Sequence, residues 1–293
     1  MVTTLLGTAI LKTMAFTGAV STVPVSLDGE EIPHPVWHHM AMPSETVSMT
    51  VPAGMAAYLD GERIEAADAF TAPETPGTYP LEFRSLDGDD KYQVSLFVLE
   101  PSDRVDSDGR LNGFRMGAYP ENTPRGYIRL DEGHGDVNVS PSFKIGQFLC
   151  HQQPDHWPKY LLISSDNLER LEALLDALNR DGITDADTFF VMSGYRSPFY
   201  NTAIGSATLS RHMYGDATDI YVDVAPRDGV MDDLNRDGAI NKADADFLYD
   251  YAEELFAGTD GVPRGGLGSY KANAVHGPFV HVDGRGRAAR WGR

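Results

Sequence analysis

The chain has 293 residues, 42% of them apolar, which is enough to bury two cores or one large and one small. Its formal net charge of −19 argues against nucleic acid and against simple attraction to an anionic membrane or wall polymer, because such a surface repels phosphates. A single cysteine, Cys150, rules out an intrachain disulfide and a cysteine-rich zinc site, so any transition-metal site must use histidines and carboxylates.

Residues 1–25 are apolar and rich in small residues, with a cleavage-like Ala-Val-Ser before Thr22, and read as a secretory signal without the usual early basic residue. Lys12 and the prolines that follow argue against a membrane span there, and no span is expected elsewhere. Residues 40–101 read as a small all-β domain of immunoglobulin-like sandwich type. ETVSMTV, YPLEFRSL and YQVSLFVLE alternate apolar with polar residues, and turn-formers separate them. The Cys–Trp–Cys hallmark is missing, and nothing in the segment points to a partner. His38 and His39 are expected to be solvated. Residues 101–118 read as a Gly- and Asp-rich connector, with a turn at DSDGRLNG.

Residues 110–293 read as an α+β domain. Asp166 with Glu169 suggests a capping box, Leu168, Leu171, Leu174, Leu175 and Leu178 follow at helical spacing, and Gly182 ends the helix. Cys150, after an apolar run, is expected to be inert core. TFFVMSG reads as a buried strand that delivers Ser193 to Arg196 to a loop. DIYVDV from Asp219 and GPFVHVDGRG also read as strands, and a second amphipathic helix spans about Lys242 to Phe256.

His212 and Asp219 are candidate ligands in SRHMYGDATDI, and His281 in FVHVD is a third. Two imidazoles and a carboxylate would leave a fourth position on zinc for water, the catalytic arrangement. Arg196, a planar fork suited to a carboxylate or an oxyanion, is the candidate cation. Taken singly, each histidine reads as a satisfied core or surface residue and Arg196 as a structural ion pair.

SGYRSP, SRHMYGDATDI, GGLGSY and FVHVDGRGRAARW, in that order, resemble the M15 family of zinc D-Ala-D-Ala carboxypeptidases and murein endopeptidases. The resemblance covers roughly residues 110–293. It implies the α+β zinc peptidase fold of the D-Ala-D-Ala peptidase and hedgehog type, with His212, Asp219 and His281 on zinc. It also implies that Arg196 contacts the reacting substrate and that Ser210 binds substrate. The vancomycin-resistance dipeptidases of the family have a Glu three residues before the last ligand, where this chain has Pro278. Another branch has a catalytic histidine five residues before it, where His276 stands, so His276 takes the second catalytic role. Asp283 is an alternative carboxylate, either as base or as a partner that holds His281.

DLNRDGAINKAD, residues 233–244, reads as an EF-hand-like calcium loop. Asp233, Asn235, Asp237, Asn241 and Asp244 stand at positions 1, 3, 5, 9 and 12, Gly238 is at 6, and Ala239 offers its carbonyl at 7. Asp at the last position resembles the dockerin variant. Its place between zinc ligands implies a structural Ca2+.

The expected function is hydrolysis of peptidoglycan stem peptides or crosslinks at D-amino acid bonds, in the periplasm or outside the cell. The alternative is a non-catalytic wall-binding or adhesion module containing zinc and calcium, because the hedgehog-type scaffold also serves without peptidase work.

Overall fold

The structure is a computed structural model that describes residues 24–88, 91–224 and 226–293. The signal-like reading of residues 1–25 therefore lies almost entirely outside the described residues. Among those described, no helix is long and apolar enough to cross a membrane. The content is mixed α and β, with the strands distributed over five sheets.

Two of these sheets are built from residues 26–98. One orders the strands Glu30–Glu31, Ser26–Leu27, Thr46–Thr50 and Ala69–Thr71. The other orders Val36–Ala41, Lys91–Val98, Gly77–Ser85, Met55–Leu59 and Glu62–Arg63. The alternation in ETVSMTV works as a half-buried strand should: Val47 and Met49 point inward while Thr46, Ser48 and Thr50 face water. Val36–Ala41 runs parallel to Lys91–Val98, whereas the other pairs in that sheet are antiparallel. Three strands begin before residue 40, so β structure starts earlier than the expected boundary.

His38 corrects an expectation. It is 3% exposed, not solvated. Its Nδ1 donates to the Val139 carbonyl (3.0 Å), and its Nε2 lies 3.4 Å from the Ser165 hydroxyl. The residue thus sits where the N-terminal strands meet the rest of the chain, helped by Ser95 Oγ donating to the Asn138 carbonyl (2.7 Å). Burial pushes the imidazole down to about 4, with a smaller contribution from His39. The unfolded imidazole titrates near 6.5. Above that pH both states are neutral and His38 does not affect the balance. As pH falls from 6.5 to 4, the unfolded chain takes up a proton that the folded chain refuses, and stability drops by about 3 kcal/mol. Urea midpoints at pH 7 and pH 4.5 should therefore differ more for the wild type than for His38→Gln, and equal differences would refute this.

The connector folds as a 3-10 turn, Ser102–Arg104, and a small hairpin, Arg110–Leu111 with Phe114–Arg115. Helix α1 spans Ser165–Arg180 and buries all five of the spaced leucines at 1% exposure or less. Each fully buried leucine contributes roughly 2 kcal/mol of transfer free energy. The N-cap is Ser164, so Asp166 and Glu169 both lie inside the helix and the expected capping box does not form. Gly182 at φ +69° follows the helix end. Cys150 is buried, and burial raises its thiol pKa, consistent with an inert side chain.

The sheet that positions the site has five strands in the order Phe190–Ser193, Ala217–Tyr221, Phe279–Asp283, Gly266–Tyr270 and Ala289–Trp291. The first three junctions are antiparallel and the last is parallel. The register aligns Ser193 with Asp219, Asp219 with His281, His281 with Gly268, and Gly268 with Trp291. One row of residues therefore crosses the whole sheet. Alternate residues Ile220, Val280 and Val282 point to the other face and are fully buried. Helices α1 and α3 (Lys242–Gly258) pack against these strands.

Candidate metal centre

His212 and Asp219 are brought together by a change of direction in the chain. His212 sits on a 3-10 turn, Arg211–Tyr214, that ends at Gly215 with φ +72°. A Cβ at residue 215 would lie 2.3 Å from the Leu162 carbonyl carbon, so only glycine fits both the backbone conformation and the space. Beyond it, Asp219 occupies the middle of its strand and His281 stands directly across from it. Tyr195 of SGYR, fully buried, braces the turn from below. Its hydroxyl bonds Tyr119 Oη (2.8 Å), which donates onward to the Met213 carbonyl (3.0 Å).

Among the described residues, His212, Asp219 and His281 are the one group of three or more His, Cys, Asp or Glu whose ligand atoms lie within 4.8 Å of one another. All three are at least nine-tenths buried. His212 Nε2 is 3.3 Å from His281 Nδ1 and 3.3 Å from Asp219 Oδ1, and His281 Nδ1 is 2.8 Å from Asp219 Oδ1. The edge of a tetrahedron around zinc with ordinary Zn–N and Zn–O bonds is about 3.3 Å.

The tautomers sharpen the fit. His212 Nδ1 faces the Gly194 carbonyl (2.7 Å), and His281 Nε2 faces the Asp283 carboxylate (3.1 Å). Each of those nitrogens donates, so in the neutral rings Nε2 of His212 and Nδ1 of His281 are bare lone pairs. Two lone pairs and a carboxylate oxygen then converge with no hydrogen between them. That arrangement repels itself unless a proton or a cation sits at its centre. The titration shifts follow the same logic. Burial lowers His212, only partly offset by Asp219. For His281 burial acts downward, but bonds to Asp219 and Asp283 outweigh it and raise the pKa. For Asp219 burial acts upward, yet the two histidines hold it well below the usual carboxylate range.

Arg196 adjoins the cluster. Its Nε donates to Ser193 Oγ (2.8 Å), Nη1 reaches Ser206 Oγ (3.4 Å), and Nη2 pairs with Asp219 Oδ2. Ser210 is buried two residues before His212, and its hydroxyl does not cap the turn that follows. His276 is not brought into the cluster. It sits in the turn before the His281 strand, edge-on to Phe279 with ring centres 4.9 Å apart. Its Nε2 is engaged by the Asn273 side-chain amide (2.7 Å) and its Nδ1 lies 2.7 Å from the Gly277 carbonyl.

The acidic loop 233–244 turns on Gly238 at φ +90° and bonds to itself. Asp233 accepts from the amides of Asp237 (3.1 Å) and Gly238 (2.8 Å), and Asp237 accepts from Ala239 (2.9 Å). Asn241 caps α3 by accepting from Ala243 N (2.8 Å). Asp244, fully buried, accepts from Asn241 N (2.8 Å) and Asn235 N (3.3 Å). The carboxylates of this loop do not form a convergent trio like the histidine cluster.

Sequence reading missed the parts that surround the cluster. Trp291 lies against His281 with ring centres 5.2 Å apart and donates its indole N–H to Tyr270 Oη (2.8 Å). Gly268 lets it do so, since a Cβ there would be 2.2 Å from Trp291 Nε1. GGLGSY and the terminal ARW were visible as motifs, but no local pattern gives their mutual contact.

The family model described as Peptidase M15 matches residues 151–239, a stretch that includes Arg196, Ser210, His212 and Asp219 and stops before His281. No curated protein and no solved structure matches the chain. The M15 match is made by the stretch that supplies the turn, two of the three clustered side chains and the neighbouring arginine, and over that stretch the chain is similar to peptidase M15.

Proposed function

We propose that this protein is a zinc metallopeptidase that hydrolyses peptidoglycan stem peptides or crosslinks at D-amino acid bonds, working in the cell envelope. The observation that carries the reading is the convergence of two bare imidazole nitrogens and a carboxylate on one point beside a partly buried arginine. On this reading the fold is of the D-Ala-D-Ala peptidase and hedgehog type, preceded by an immunoglobulin-like sandwich. His212, Asp219 and His281 hold the metal. Bound zinc would acidify a water molecule and polarise the scissile carbonyl. Arg196, fixed by Ser193, directs a guanidinium N–H toward the oxygen where charge develops. Ser210 contacts the substrate. His276 moves the proton to the leaving amine, which requires its Nε2 to exchange Asn273 for the substrate.

The test is incubation of zinc-loaded protein with purified muropeptides, with and without a chelator. Cleavage that the chelator stops and zinc restores is the expected result. Tight zinc binding without cleavage would instead support the non-catalytic wall-binding module.

Loop 233–244 takes calcium in this reading, through Asp233, Asn235, Asp237, the Ala239 carbonyl, Asn241 and Asp244. Its support is the EF-hand order of ligand types and the turn at Gly238. Calcium should raise the melting temperature of the wild type and leave Asp233→Ala/Asp237→Ala unmoved. A melting temperature indifferent to millimolar calcium would retire the site.

A further inference from the structure

Asp283 is fully buried and stands outside the three converging atoms. Five donors surround its carboxylate: Gly266 N (2.8 Å), Arg285 N (3.1 Å), Arg285 Nε (2.8 Å), Arg285 Nη2 (2.5 Å) and His281 Nε2 (3.1 Å). A carboxylate so enclosed has no lone pair turned toward a substrate, so the alternative role as base does not fit it.

The strand beneath it is cut to accommodate this arrangement. A Cβ at Gly266 would lie 2.2 Å from Asp283 Oδ2, and one at Gly268 would lie 2.2 Å from Trp291 Nε1. Residues two apart on a strand share a face. The two bare positions therefore make room for the two groups that touch the His281 ring, the Asp283 carboxylate on its Nε2 and the Trp291 indole beside it. Arg285 closes the assembly from outside. It grips both Asp283 oxygens, and its guanidinium lies 5.3 Å from the centre of the Trp291 ring.

We propose that Asp283 is a positioning residue of the metal centre: held by Arg285 and the Gly266 amide, it fixes the orientation and tautomer of His281 so that Nδ1 faces His212 and Asp219. A metal-ligating histidine needs such an acceptor on its other nitrogen to hold the ring and raise its basicity. The inference rests on the metal reading of the cluster, and it gives GGLG a role: that segment forms a floor recessed for the side chains that support one ligand.

The experiment is a zinc titration of the full chain against a competing chelator, with the melting temperature of the metal-free protein measured alongside. Asp283→Asn keeps the volume but cannot accept from Gly266, Arg285 and His281 together. It should weaken zinc binding about 10- to 100-fold in folded protein. Gly266→Ala, which alters no ionisable group, should weaken it in the same direction by displacing the carboxylate. Arg285→Gln, at a more exposed position, should give a smaller loss and carries the test if the buried variants do not fold. Variants that melt lower yet bind zinc as tightly as the wild type would leave Asp283 a purely structural residue and overturn the proposal. Wild-type protein that holds no zinc would overturn both this proposal and the metal reading beneath it.

Discussion

Asp219→Ala is expected to abolish zinc binding and muropeptide hydrolysis together, and to destabilise the metal-free protein by about 3–5 kcal/mol. The large stability effect comes from the company this carboxylate keeps. It pairs with the partly buried Arg196 and stands 2.8 Å from His281 Nδ1 and 3.3 Å from His212 Nε2, both buried. Removing it leaves a guanidinium out of water without its anion, and two imidazoles facing each other with nothing to neutralise a shared proton. Urea denaturation in the presence of chelator measures the stability term, and metal analysis measures the zinc term. Asp219→Asn separates size from charge, because it fills the space but supplies no anion. An alanine variant that kept stoichiometric zinc would remove Asp219 from the ligand set.

Arg196→Ala is expected to lower kcat by roughly 100- to 1,000-fold, the range for losing one donor at a developing oxyanion, while zinc stays bound. The sequence left two roles open for this residue, and the structure holds elements of both. Its Nη2 pairs with Asp219, as a structural ion pair would. Its Nε is held by Ser193 and its backbone amide by the His212 carbonyl (3.1 Å), which fixes the fork beside the cluster. Arg196→Lys should recover only part of the rate, because a point charge on a flexible stem does not reproduce two parallel donors. The assay is kcat at saturating muropeptide with zinc content measured on the same sample. A loss of less than a few-fold with zinc retained would reduce Arg196 to the partner of Asp219.

Several elements were legible because their physics is local. The leucine spacing of α1 and the apolar face of α3 gave helices at nearly their observed limits, since helix formation depends on residues three and four apart. The alternation in ETVSMTV gave a half-buried strand for the same kind of reason. The capping box failed because Ser164, two residues earlier than expected, already supplied the start. The burial of His38 was illegible, since its acceptor, Val139, lies 101 positions along the chain.

The proposed metal ligands divide along the same line. His212, Asp219 and His281 could be named from ordered motifs. Sequence therefore determined the chemical inventory: histidines and carboxylates rather than thiols, a candidate arginine, and an acidic loop between the second and third of the clustered residues along the chain. Tertiary structure decided the geometry. Strand register placed Asp219 opposite His281 and Gly268 between His281 and Trp291. Hydrogen bonds to Gly194 and Asp283 selected which nitrogen of each ring faces inward. Register and tautomer depend on partners tens of residues away, and a linear motif carries no information about which groups the folded chain will bring to within 3 Å.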